Sequence, residues 1–170
     1  MSNLKINEDI QVGETNIKFS ELISTIQNFN TSKLVFSGAY VSQSISANTF
    51  SLGSFNTSPS VIDTKFLSMN SNGILTVEKE GFYRIEWMVR WPDVSSSVDV
   101  FCGCSIDDDV LDIAARGNWM NYVQRGTSTG ATYLKLVDGQ TIRPKFWSAA
   151  STTMAGTGYY YITYVECEVS

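Results

Sequence analysis

The 170-residue chain contains no histidine. That removes the commonest general base, every Ser-His or Cys-His nucleophile pair and nearly all transition-metal sites. An enzyme built on this sequence would have to work with carboxylates, Lys or Tyr alone. Charge is also scarce: charged residues make up 17% of the chain, and the net charge of -5 argues against a nucleic-acid backbone or an anionic membrane surface as partner. No apolar run approaches the roughly 20 residues a membrane span needs. The N-terminal "MSNLKINEDI" lacks the basic and apolar regions of a signal peptide. The expectation is a protein made in a cytosol without a Sec signal, with no nucleic-acid partner and no membrane insertion. Cysteine is limited to Cys102, Cys104 and Cys167. The first two share a strand face in "VFCGCSI", where side chains point in parallel and do not pair easily, so they read as buried free thiols.

The first thirty residues differ from the rest. "DIQVGETNIKF" reads as a hairpin, with Ile10 and Val12 before a turn at Gly13-Glu14-Thr15 and Ile17 and Phe19 after it. Ser20 can cap a helix in which Phe19, Leu22, Ile23, Ile26 and Phe29 fall at 3-4-3 spacing. So short a helix is not stable alone. It packs either on its own domain or on copies of itself around a symmetry axis. From Lys33 the pattern is all-β: short alternating or apolar runs, separated by turn signals such as Ser71-Asn72-Gly73, Asp138-Gly139 and Ala155-Gly156. This spacing predicts a sandwich or jelly roll. Residues 42–60, rich in Ser and Asn, show no core pattern and read as a long surface excursion.

One run is more informative. In "EKEGFYRIEWMVRW", Tyr83, Ile85, Trp87, Val89 and Trp91 alternate with Phe82, Arg84, Glu86, Met88 and Arg90. A strand sends alternate side chains to opposite faces, so the first set is a core face. The second set is half apolar and half charged. It is either an ordinary exposed face or a surface that meets another subunit. "GYYYITYVE" shows the same excess on both alternating sets, and a strand apolar on both faces needs cover on both.

"ILTVEKEGFYRIEWMVRW", with Gly81-Phe82-Tyr83-Arg84-Ile85, resembles the Gly-apolar-Tyr strand of C1q and TNF-like globular domains. "STGATYLKLVDGQTIRPKFW" is similar to the later hairpin of that family, and "GTGYYYITYVE" sits where the family places its C-terminal strand. Ile85, where the family usually has an aromatic, and Pro144, inside the strand after the turn, are departures; Pro144 predicts an edge or bulge. The resemblance covers residues 33–170 and implies an all-β, C1q/TNF-like ten-strand jelly-roll sandwich that assembles as a homotrimer. Phe82, Arg84, Glu86, Met88, Arg90, Tyr159 and Tyr161 would then meet neighbouring subunits, the charged members through intersubunit ion pairs. Residues 1–32 would form an anchor or trimerisation stub.

A head of this kind behind a short hairpin resembles virion proteins of tailed bacteriophages, made in the bacterial cytoplasm and displayed on a tail, baseplate or capsid. The implied role is non-enzymatic attachment to a host surface glycan, with the N-terminal segment held by another virion protein. The alternatives are a head-fibre or decoration protein without receptor activity, a bacterial C1q-like adhesin, and a carboxylate-based polysaccharide hydrolase. Exposed aromatics beside amides suit sugar rings and their hydroxyls, and "RGNWMNYVQRG" offers Trp119, Asn121 and Tyr122 on a presumptive loop. The alternative is that Trp119 and Tyr122 are core residues of one more strand. Asp107, Asp108 and Asp109 lie at a turn. Some members of the family bind calcium, and these carboxylates are the candidate ligands; otherwise they form a solvated turn. No other cofactor is expected.

Overall fold

The computed structural model describes residues 10–12, 15–17, 32–109, 117–154 and 156–165. At the N-terminus β1 (Ile10–Val12) and β2 (Thr15–Ile17) pair antiparallel as a separate two-stranded sheet, the expected hairpin. The expected helix after it, and Cys167, lie outside the described residues. The body of the fold is antiparallel β throughout. β3 (Ser32–Ala39), β4 (Gln43–Ile45), β5 (Ser51–Leu52), β6 (Val61–Ile62), β7 (Leu67–Met69) and β8 (Leu75–Val77) lead to two long strands, β9 (Gly81–Ile106) and β10 (Gly117–Leu136). β11 (Thr141–Ser148), β12 (Thr152–Met154) and β13 (Gly158–Val165) complete the chain.

The long strands organise the molecule. A straight strand of the length of β9 would span about 85 Å, far more than a compact domain of this size can hold. The β9–β10 ribbon therefore bends and serves both layers of a sandwich. Its first half, residues 81–91 of β9 with 126–136 of β10, joins β13, β3 and β6 in one layer. Its second half, 98–106 with 117–122, joins β11, β5, β8 and β7 in the other. At the corner Tyr122 pairs with Val98, Gln124 with Val94 and Gly126 with Trp91. Four steps along β10 thus match seven along β9, and the three extra residues form bulges around Pro92. Bulges of this kind bend a strand where it changes sheets. Because three is odd, the inward set of β9 changes parity: Tyr83, Ile85, Trp87, Val89 and Trp91 before the bend, Val98, Val100, Cys102, Cys104 and Ile106 after it.

Both inward sets are buried, the first as its alternation predicted. Burying each such side chain is worth about 1.5–3 kcal/mol. Polar groups stitch the layers together. Trp87 Nε1 donates to Asn118 Oδ1 at 2.9 Å, Asn118 Nδ2 donates to Ser128 Oγ at 3.1 Å, and Tyr160 Oη donates to the Gly103 carbonyl at 2.7 Å. Gly130 is needed here, since a Cβ would stand 2.6 Å from the Trp87 ring.

Three expectations are corrected. The ribbon halves, read as separate short strands, are continuous. Residues 42–60 are not a surface excursion: Ile45 and Phe55 are buried in the core, each anchoring a stretch too short to show a period. Pro144 lies in an interior strand, paired with Cys104. Its carbonyl accepts from Gly53 N at 2.7 Å, and its nitrogen faces that same side, where β8 reaches only to Ile142 and β5 begins opposite Lys145. The missing donor falls in the gap between two short strands.

Candidate functional site

Each layer of the sandwich has an outward face. On the first, strand pairing sets residues in rows: Tyr159, Met88 and Thr129; Tyr161, Glu86 and Ala131; Thr163, Arg84 and Tyr133; Val165, Phe82 and Lys135. Leu34, Phe82, Met88, Tyr133, Tyr159 and Tyr161 are all exposed, Tyr133 by 65%. Exposed apolar side chains are ordinary singly, but a contiguous set marks an interaction surface. The Tyr159 and Tyr161 rings stack at 6.4 Å between centroids. Beside them a groove of about 450 Å³ runs over Ala131 and Gly130 between Tyr161 and Thr129.

The charges on this face answer each other within the chain. Arg84 Nη2 lies 2.8 Å from Glu86 Oε1, and the guanidinium sits over the Tyr133 ring. Residues two apart on a strand share a face, so these two side chains reach each other within the chain. Arg84 Nε, shielded from water, has no acceptor among the described residues. Arg90 is exposed and borders a cleft of about 570 Å³ at the ribbon bend, with Asp93, Thr127 and Thr157.

The second layer's outward face has a different make-up. Trp119 on β10, Phe101 on β9 and Trp147 on β11 form one row across three strands. Strands two apart lie about 9.5 Å from each other, yet the Trp119 and Trp147 ring centroids are 4.9 Å apart. The indoles lean together over Phe101, which they bury. Phe50, arriving from before β5, adds an edge contact to Phe101 at 5.5 Å. Trp119 remains 52% exposed. In the next row Asn121 Nδ2 donates to Asp99 Oδ1 at 2.7 Å, and Ser97 Oγ donates to Asn121 Oδ1 at 2.5 Å. In the row on the other side Gly117 and Gly103 face Lys145. A Cβ at Gly117 would stand 2.0 Å from the Phe101 ring, so the aromatic row depends on that glycine. Lys145 is fully buried; its Nζ donates to the Asp109 carbonyl at 3.1 Å and lies 5.1 Å from the centre of the Phe50 ring.

The stretch holding Trp119, Asn121 and Tyr122 is thus the first half of β10, not a loop, and the alternative that Trp119 is a core residue is also not realised. The Tyr122 side chain lies outside the described residues. Phe50, Trp147, Asp99 and Ser97 were not singled out from sequence. Trp147 carried a signal, since it follows the core residue Phe146 in a strand and must face outward. Phe50, in a Ser- and Asn-rich stretch with no period, carried none.

Two of the three clustered aspartates have their carboxylates engaged within the chain. Asp109 N donates to the Ile106 carbonyl at 3.1 Å around Asp107 and Asp108, both at positive φ (53° and 58°), a tight turn that Asp tolerates. Asp107 accepts Thr141 N and Gln140 Nε2, each at 2.8 Å, and Asp108 Oδ1 pairs with Arg143 Nη1 at 3.1 Å. These carboxylates are spent on the turn and on β11. No group of three His, Cys, Asp or Glu side chains suited to a metal ion occurs among the described residues. Burial pushes the Cys102 thiol up to about 12, so it is neither a nucleophile nor a thiolate ligand at neutral pH. Among those residues no helix is long and apolar enough to cross a membrane.

No family model matches the chain, and no curated protein matches it in sequence. Among solved structures it is similar to murine APRIL at pH 8.0, with a TM-score of 0.53 and 13% identity over 79% of this chain and 99% of that one. Murine APRIL at pH 8.5 gives 0.50 and 16% identity over 76% and 97%. The fold is a TNF/C1q-like jelly roll. A structure of Eiger TNF from S. frugiperda gives 0.46 and 11% identity over 78% and 92%. At these identities the likeness concerns the fold alone. The TNF/C1q-like frame separates the two outward faces, one carried by each layer.

Proposed function

We propose that this chain is a non-enzymatic, homotrimeric attachment protein of a tailed-bacteriophage virion that binds a glycan on the host surface. The observation that carries the reading is the pairing of two unlike faces on opposite sides of one sandwich. The first, with six exposed apolar side chains and a guanidinium nitrogen lacking an acceptor, suits burial against copies of the chain. The second, with its aromatic row beside Asn121 and Asp99, suits a sugar. Three linked weak sites gain orders of magnitude in avidity. The separate β1–β2 hairpin supports a virion-anchored N-terminus, held by another virion protein. A hydrolase would need two carboxylates around a cleft. The chain's densest acidic cluster is instead tied up in a turn.

Light scattering across a dilution series, followed by binding of labelled full-length protein to candidate host bacteria, tests this reading. Three chain masses with saturable cell binding support it. A monomer at all concentrations overturns it. A trimer that saturates no host surface favours the second reading, a capsid head-fibre or decoration protein.

A further inference from the structure

The geometry points to a specific ligand class for the second face: we infer that the exposed Trp119 indole, propped edge-on at 68° against Trp147 and with Asn121 and Asp99 beside it, is a platform that stacks an uncharged pyranose residue. This rests on the attachment reading and narrows it. Three features select the occupant. The exposed apolar surface of the row is aromatic, with none of the Leu and Met that the first face carries, and flat rings meet the axial C–H face of a sugar. The Ser97–Asn121–Asp99 chain of hydrogen bonds fixes an amide and a carboxylate one row, two residues, from the indole. An oriented amide and carboxylate are the groups that sort hydroxyls by donor and acceptor. Asp99 also supplies negative charge at the edge of the stack, on a chain of net charge -5, and so disfavours uronates, sialates and phosphorylated sugars. Lys145 does not reverse that sign, because its ammonium is buried behind Phe50 and held by the Asp109 carbonyl.

The platform lies on the layer opposite the proposed assembly face, so assembly leaves it open. It sits at the edge of that layer, where β10 pairs with β9 alone among the described residues. The three copies would present three such stacks.

The test is an oligosaccharide array bearing neutral, amino-acetylated, uronate and sialate glycans, probed with the full-length trimer. Tryptophan emission is followed in solution with the strongest neutral binder. Trp87 and Trp91 are buried, so a blue shift on sugar addition reports Trp119 and Trp147. The expected result is binding to uncharged glycans only, weakened about tenfold or more by Trp119→Ala with the trimer mass unchanged. Asp99→Ala, at an exposed position, gives the same direction without touching the aromatic row and covers the case in which Trp119→Ala disturbs folding. Binding confined to acidic glycans, no glycan binding at all, or neutral binding indifferent to both substitutions overturns the inference. Host-cell binding that survives both variants removes the platform yet leaves attachment standing, whereas absence of cell binding by the wild-type protein removes attachment itself.

Discussion

The outward faces of the two layers are made largely by the same two strands, yet they differ in kind. On the first, Leu34, Phe82 and Met88 mix with Tyr133, Tyr159 and Tyr161 around the Arg84–Glu86 pair. On the second, indoles lean over a buried Phe101 beside an amide–carboxylate chain. The first has the composition of a protein interface, apolar with aromatic anchors, and the charges at its centre are paired with each other. The second has almost no aliphatic surface to bury. Strand alternation supplies both faces; only the residue types in the outward positions distinguish them.

The hardest way to break that comparison is to charge the first face. Met88→Glu with Tyr161→Glu places two carboxylates beside Glu86 in adjacent rows. Burying unpaired charge costs several kcal/mol, so self-association should weaken by about a thousandfold or more, read as a single chain mass at micromolar protein. Sugar-dependent fluorescence of the monomer should persist, which keeps the faces separable. Persistence of the trimer would move the interface elsewhere.

Gly117→Val tests what the second face stands on. A branched side chain against the Phe101 ring should cost about 3 kcal/mol of stability, seen as a lower urea midpoint with an unchanged slope. The core shared by both faces is read by base. Burial raises Tyr40 from 10.0 to about 12 and pushes Tyr83 and Tyr160 higher than an ordinary tyrosine. Their neutral forms are favoured in the folded state, so their contribution is full below pH 10 and lost as pH rises through the folded values. Each ionisation steepens the fall by up to about 1.4 kcal/mol per pH unit. Urea unfolding at pH 8 to 12 should show that limb, and with no histidine there should be little change from pH 6 to 8.

Smaller effects sharpen the contrast. Trp119→Ala should cost stability about 1–2 kcal/mol, because half of the ring is already in water but the other half covers Phe101, while its larger effect is on sugar binding. Glu86→Gln should shift monomer stability by about 0.5 kcal/mol or less, since both partners are a third or more exposed. A larger loss confined to the trimer would show that Glu86 works across the interface after all.

Much of this was legible in the sequence. The Tyr83-to-Trp91 alternation placed the core and nominated Phe82, Met88 and their neighbours as the outward set, and "GYYYITYVE" did the same for Tyr159 and Tyr161. Alternation could not be carried past Pro92, because the odd number of bulged residues inverts it. For the same reason one strand crossing two layers looked like two. Trp119 was found by type but placed on a loop, since Gly, Asn and Met around it dilute the strand pattern. Ile45 and Phe55 hid in a Ser- and Asn-rich stretch whose two- and three-residue strands leave no period to read. The aspartates illustrate a further limit: their spacing is visible in sequence, but not that Thr141, Gln140 and Arg143 already claim oxygens of Asp107 and Asp108.

The bent β9–β10 ribbon has a mechanical consequence. A tug on anything held at Trp119 enters the protein on the same hydrogen-bonded strand pair that carries Met88 and Arg84. Tension then runs along the backbone from the aromatic face to the first face without passing through side-chain packing. Rungs loaded side by side yield together, whereas rungs peeled from one end yield singly. A particle tethered through this domain would pull on its covalent chain before it pulled on its core.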